Sequence, residues 1–186
     1  METQVVANKA RLHPLEIAAP LVIFATLVAF ALPNYRSFAP GAALEQAASR
    51  IGQLIVSARK QSVDKGRAVI RIDTARRDLT LLAGADSSTS KLENFVLPSG
   101  ISFGYQGSVM PYPGLKLPNG TDLAATDDGI TFENDEIVFE AGLLTGFPGL
   151  VYIRNEQGQT VAIYVRISGD FDVKSWQGSA WGAFRT

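Results

Sequence analysis

Apolar and polar positions change rhythm along this 186-residue chain, and each rhythm predicts a different element. Residues 17–32 carry no charge, and only Pro20 and Thr26 interrupt the aliphatic and Phe side chains before Pro33. An α-helix rises 1.5 Å per residue, so about 20 apolar residues cross a hydrocarbon core ~30 Å thick. The run falls slightly short of that length. Flanking residues and local bilayer thinning make up the difference, which predicts a transmembrane helix over 12–38. Further on, Leu44, Ala47, Ala48, Ile51, Leu54, Ile55 and Ala58 recur at steps of three and four, opposite Glu45, Gln46, Arg50, Gln53, Arg59 and Lys60. This spacing predicts an amphipathic helix over 39–65 whose apolar face packs on a globular domain. Ser37-Phe38-Ala39-Pro40-Gly41 predicts a kink or brief break between the two helical stretches, and Gly66 supplies a left-handed cap after Asp64-Lys65.

From Ala68 the period becomes two. Ala68 to Ile72 and Leu79 to Leu82 predict a hairpin around Thr74 to Arg77. Phe95-Val96-Leu97 and Ile101 to Tyr105 read as strands on either side of Pro98-Ser99-Gly100. Later strands are predicted at Ile130-Thr131-Phe132, Ile137-Val138-Phe139, Val151 to Arg154, Thr160 to Ile167 and Phe171 to Trp176. Asn155-Glu156-Gln157-Gly158 forms a hairpin turn. Between them, 106–129 is rich in Gly and Pro and reads as a long surface loop, a type that is commonly functional or mobile. The expectation is an α+β chain with a leader over 1–11, a transmembrane helix over 12–38, a stalk helix over 39–65 and a β-rich domain over 66–186. The helix packs on one antiparallel sheet domain.

A net charge of −1 gives the whole chain no drive toward nucleic acid, and with no cysteine the core holds the domain together without disulfides. Charge is nevertheless unevenly placed. Basic residues gather from Arg50 to Arg77, whereas Asp122 to Asp172 is dominated by acids with only Arg154 and Arg166 against them. Lys9 and Arg11 abut the apolar run and place the N-terminus in the cytoplasm. A secretory signal peptide shares that description, but no Ala-x-Ala-like site closes the run and a helical pattern continues beyond it.

Glu16 is an acid inside the apolar border, where an ionised carboxylate is costly unless paired. Leu15-Glu16, the apolar run and Ala31-Leu32-Pro33-Asn34-Tyr35 together resemble the N-terminal segment of type IV pilins and type II secretion pseudopilins. The separation between Glu16 and Pro33 matches the family's. The junction from Ser57 to Val69 and the later strand series, including Leu97 to Phe103 and Val151 to Gly158, are similar to the GspH/FimT group of minor pseudopilins. The resemblance implies a pilin-like fold and an assembly role for Glu16 and Pro33. It also implies partners among other pseudopilin subunits, an inner-membrane anchor and processing by prepilin peptidase at Arg11 and Leu12. There the family's Gly is replaced by Arg11, and His13, Pro14 and Pro20 also depart from its pattern. Near the end, the group's basic Thr-Gly-Arg-Val turn is replaced by Ser168-Gly169-Asp170-Phe171.

Other chemistries find less support in the residues. Ser57-Ala58-Arg59-Lys60 matches Ser-x-x-Lys, but the Ser-Asp-Asn and Lys-Thr-Gly elements that accompany that nucleophile are absent, and His13 is the only histidine. Acids from Asp122 to Glu136 are of the type that ligates calcium, but they form no Asp-x-Asp-x-Asp-Gly loop, and a solvated acidic loop accounts for them. No cofactor is expected. DNA uptake is the alternative function, with Trp176, Trp181 and Phe184 able to stack bases. Arg166, Lys174 and Arg185 sit among too many acids to form a basic face. A membrane-anchored periplasmic enzyme is the second alternative.

Overall fold

The computed structural model describes residues 14–84, 90–105 and 128–184, with the side chains of 14–19, 23 and 27–39 outside that description. Two compact units divide the chain, Met1–Ala39 and Pro40–Thr186. One helix, α1, is assigned over Pro14–Lys65. The expected break at 37–41 is absent, since helical assignment runs through Pro40 and Gly41. Pro40 forfeits one backbone hydrogen bond, but that is a local cost. Tertiary packing outweighs it: a Cβ built on Gly41 would lie 3.5 Å from Gln159 Oε1, so the helix is seated there against the domain.

Within the second unit all seven predicted core residues of the helix, from Leu44 to Ala58, are buried, none more than 3% exposed. The helix stops at Lys65, and Gly66 takes the left-handed φ of 85° that an L-residue adopts only at a cost. The strands that follow form two antiparallel sheets, where the sequence suggested one. The first has the order β3-β2-β1-β5-β6, from Arg67–Asp73 (β1), Asp78–Ala83 (β2), Ser90–Val96 (β3), Glu136–Glu140 (β5) and Leu143–Leu144 (β6). The second has the order β10-β9-β8-β7-β4, from Ile101–Phe103 (β4), Gly149–Asn155 (β7), Thr160–Val165 (β8), Phe171–Trp176 (β9) and Trp181–Ala183 (β10).

Ala68, Ile70 and Ile72 of β1 alternate inward with Leu79, Leu81 and Ala83 of β2, and Ile137 and Phe139 of β5 join them. Ile101, Val151, Ile153, Val161, Ile163 and Val165 add the inner face of the second sheet, so one continuous cluster joins helix and both sheets. On the second sheet's other face Leu150, Tyr152 and Ala162 form a smaller cluster with Tyr105, Tyr164 and Trp181. Strand β7 is therefore covered on both faces, which is why it reads as an unbroken apolar run.

Several boundaries differ from expectation for identifiable reasons. β3 starts at Ser90, because an exposed edge strand needs no apolar alternation to pair with β2. Ile130-Thr131-Phe132 is reduced to one isolated bridge, Ile130 to Val151, and a 3-10 turn, Glu133–Asp135, follows directly. β8 ends at Val165, and Ile167 is exposed in the turn. The short strands β6 and β10 carry too few residues to show a period.

The far end of the helix is tied to the β8–β9 turn by polar contacts. Arg59 donates from Nε to Gly142 O at 3.2 Å and from Nη1 to Asp170 Oδ1 at 2.7 Å, while Ser168 Oγ donates to Asp170 Oδ2 at 3.0 Å. Buried Ser62 accepts the Gly142 N–H at 3.0 Å. The acid that replaces a basic residue in this turn is thus the counter-charge of Arg59.

Gly104 and Gly129 meet backbone to backbone: a Cβ on Gly129 would lie 2.4 Å from Gly104 Cα, and both glycines have positive φ. Gly104 N donates to Tyr152 O at 2.9 Å, and Tyr152 N donates to Gly129 O at 2.9 Å. The chain thereby leaves and re-enters the second sheet at one point on β7.

Packing of this kind fixes what substitutions do. Ile51→Ala, fully buried between helix and sheets, lowers unfolding free energy by about 3 kcal/mol in denaturant titration, since cavity and transfer costs add. Gly129→Ala costs about 2–4 kcal/mol in the same assay, from the positive φ and the overlap with Gly104.

Asp170 gives a pH dependence. The Ser168 hydroxyl and then the Arg59 guanidinium hold its carboxyl below the ordinary carboxylate range. The folded state therefore binds its proton less readily than the unfolded chain. The stabilisation is present above about pH 4 and is lost as pH falls through the folded-state pKa. Melting temperatures measured from about pH 5 down to about pH 2 fall more steeply for the native chain than for Asp170→Asn.

Candidate assembly surface

Helical assignment carries Glu16 and Pro33 on one rod, seventeen residues and about 25 Å of helix apart, so they act at separate levels and are not brought together. Their side chains lie outside the described ones, as do the whole of Arg11 and Leu12. Of the apolar run between them, Leu21, Val22 and Phe24 are exposed at 62–66%. The run's single hydroxyl is satisfied internally, with Thr26 Oγ1 donating to Val22 O at 2.6 Å. Apolar side chains thus face outward with no exposed polar demand from Thr26. Among the described residues, no helix is long and apolar enough to cross a membrane.

In the second unit the helix also has apolar surface outside its core face. Val56 and Val63 are 58% and 64% exposed. A groove of about 500 Å³ runs beside Val56, lined by Ala48, Gly52, Phe171, Val173 and Phe184 among others. Gly52 is needed there, because a Cβ would come within 2.7 Å of the Phe171 ring. The sequence pattern showed the inward face of this helix but not the groove, which exists only once β9 folds back alongside.

The basic residues from Arg50 to Arg77 do not form a free cationic face. Arg50 pairs with Glu93, Arg59 with Asp170, Arg67 with Glu140 at 3.7 Å, Arg71 with Glu136 at 2.8 Å and Arg76 with Asp73 at 3.5 Å. Two of these follow directly from strand register, since β1 places Arg67 opposite Glu140 and Arg71 opposite Glu136. Charges segregated along the sequence are thus interleaved in space. A polyanion needs uncommitted cations, and here five of them already have carboxylate neighbours.

Trp176 and Trp181 meet edge to face at 5.3 Å, and Trp181 lies 5.9 Å from the buried Tyr152 ring. These rings cover the outer face of the second sheet, so the base-stacking role weighed for them competes with packing. Phe184 lines the groove beside the helix. Ser57 and Lys60 of the Ser-x-x-Lys match lie on the helix, half-buried and exposed respectively. Of the acidic stretch, 122–127 lies outside the described residues. Burial, and then the nearby Asp128, push the Asp135 carboxyl above its ordinary range. Among the described residues no group of three or more His, Cys, Asp or Glu is placed to hold a metal.

No protein-family model and no curated protein matches the sequence. The chain is similar to two solved structures of the minor pseudopilin EpsH from the type 2 secretion system of Vibrio cholerae. The first is 15% identical, with a TM-score of 0.47 over 71% of this chain and 96% of that one. The second is also 15% identical, with a TM-score of 0.46 over 71% of this chain and 93% of its own.

Proposed function

We propose that this chain is a minor pseudopilin, a structural subunit of a type II secretion pseudopilus or a related pilin-like filament. One observation carries the reading: a charge-free run at 17–32, bordered by Glu16 and Pro33, shares a helical assignment with a stretch whose other face is built into a β domain. Such a chain has a greasy rod for lateral association and a folded head to present outside the bundle. In this reading the rod anchors in the inner membrane with its N-terminus cytoplasmic and its β domain periplasmic. Glu16 is the buried carboxylate whose partner, on a neighbouring subunit, fixes the register between rods. Pro33 relieves the helix where it leaves the apolar layer. Arg11-Leu12 is the processing position for prepilin peptidase, and no cofactor or catalytic group takes part.

DNA uptake is the weaker reading, because the arginines that would meet phosphates are paired within the domain. An anchored enzyme is weaker still, since neither the Ser57 and Lys60 pair nor His13 comes with the partners that chemistry needs.

Replacing Glu16 with Ala separates assembly from anchoring. Cross-linked copies recovered from membranes fall about ten-fold or more, while the amount of membrane-bound chain is unchanged; equal cross-linking would discard the filament role. The intact mass of membrane-purified protein corresponds to a chain starting at Leu12. Binding of labelled DNA stays negligible across about 50–200 mM salt.

A further inference from the structure

A second concavity lies where the first turn of the helix in the domain meets the start of β8 and the end of β9. It encloses about 290 Å³. Its lining combines one carboxylate, Glu45, two amides, Gln159 and Gln177, and two hydroxyls, Thr160 and Ser175, with the indole of Trp176. Neither Lys nor Arg contributes to it, so it offers no counter-charge to a phosphate or carboxylate ligand. A single carboxylate without His or Cys is a poor metal site. Too many of the lining groups demand hydrogen bonds for a purely apolar guest.

The polar groups are held in place. Asn155, 3% exposed, donates from Nδ2 to Gln159 Oε1 at 2.7 Å, which occupies the amide oxygen and leaves Gln159 Nε2 as a donor. Asn155 is itself fixed, its Oδ1 accepting from Gln157 N at 3.1 Å and Gln159 N at 3.0 Å. Thr160 is 1% exposed, and its hydroxyl has only a long contact, 3.4 Å to Gly158 O. Gln177 is folded over Gly182, where any side chain would collide with its amide.

We propose that this pocket binds a saccharide, one or two pyranose rings of a neutral glycan. A sugar ring presents vicinal hydroxyls that both donate and accept, and a C–H face that lies against an aromatic ring. The pocket supplies an acceptor at Glu45, a donor at Gln159, dual groups at Thr160, Ser175 and Gln177, and an apolar face at Trp176. Its volume suits such a ring, and the site is independent of how the chain assembles.

The test uses the full chain in a zwitterionic detergent without a sugar headgroup, titrated with maltotriose in one arm and chitotriose in the other. Tryptophan fluorescence reports binding, because Trp176 lines the pocket and Trp181 touches it. At least one sugar gives a saturable change with Kd in the range of about 0.1–5 mM. Glu45→Ala and Gly182→Ala, the second displacing Gln177, keep the native melting temperature, and at least one weakens binding about five-fold or more. The arms distinguish a glucose-type from an N-acetylglucosamine-type glycan. No saturable response up to about 20 mM of either sugar, or unchanged affinity in both variants, overturns the assignment.

Discussion

Burial of one helical face against two sheets at once is the constraint on which the rest of this domain depends. Ala47, Ala48 and Ala58 are small where the helix approaches closely, and Ile51, Leu54 and Ile55 are large where the sheets leave room. A fully buried aliphatic side chain contributes roughly 1.5–3 kcal/mol relative to exposure, so this face dominates the polar contacts around it. The sheets are joined mainly through it and through the cluster that continues from it. Any partner that engages the helix must therefore use what remains outside that face, which is why exposed Val56 and the groove beside it matter more than their size suggests.

Electrostatics then sets the surface. Arginines early in the chain and acids late in it look like two opposed regions when read linearly, and a reader could assign them separate partners. Strand register removes that contrast, because β1 lies beside β5 and the two charge sets become cross-strand neighbours. Each exposed pair is worth little, about 0–1 kcal/mol. Their consequence is in specificity: the domain shows no concentrated field to attract DNA, and association falls to shape and apolar contact.

Legibility in the sequence tracks how strongly a segment's own period decides its structure. The stalk helix was readable because seven apolar residues repeat at helical steps, and β1, β2, β5 and β8 because alternation or unbroken apolar runs of adequate length expose a strand. The hairpin turns carried their own Gly and Asn markers. β3 was misplaced because an edge strand with residues such as Lys91, Glu93 and Asn94 has no inward face to reveal it. β6 and β10 were invisible because their partners, not their residues, make them strands. The break expected at Pro40 was overruled by contact with Gln159, which no local rule contains. The pocket beside Trp176 was equally hidden, since it draws residues from three distant parts of the chain. Glu16 and Pro33, in contrast, are legible only as sequence and as positions on a helix.

The crossing of Gly104 and Gly129 has an evolutionary corollary. Because departure and return share one point on β7, the intervening stretch adds nothing to the spacing of the strands on either side. Loop-closure cost rises only with the logarithm of length, so insertions or deletions there leave registry in the sheet untouched. Selection can thus diversify this excursion freely while the two glycines stay invariant, and lineages should differ most in size at the place where the scaffold is pinched tightest.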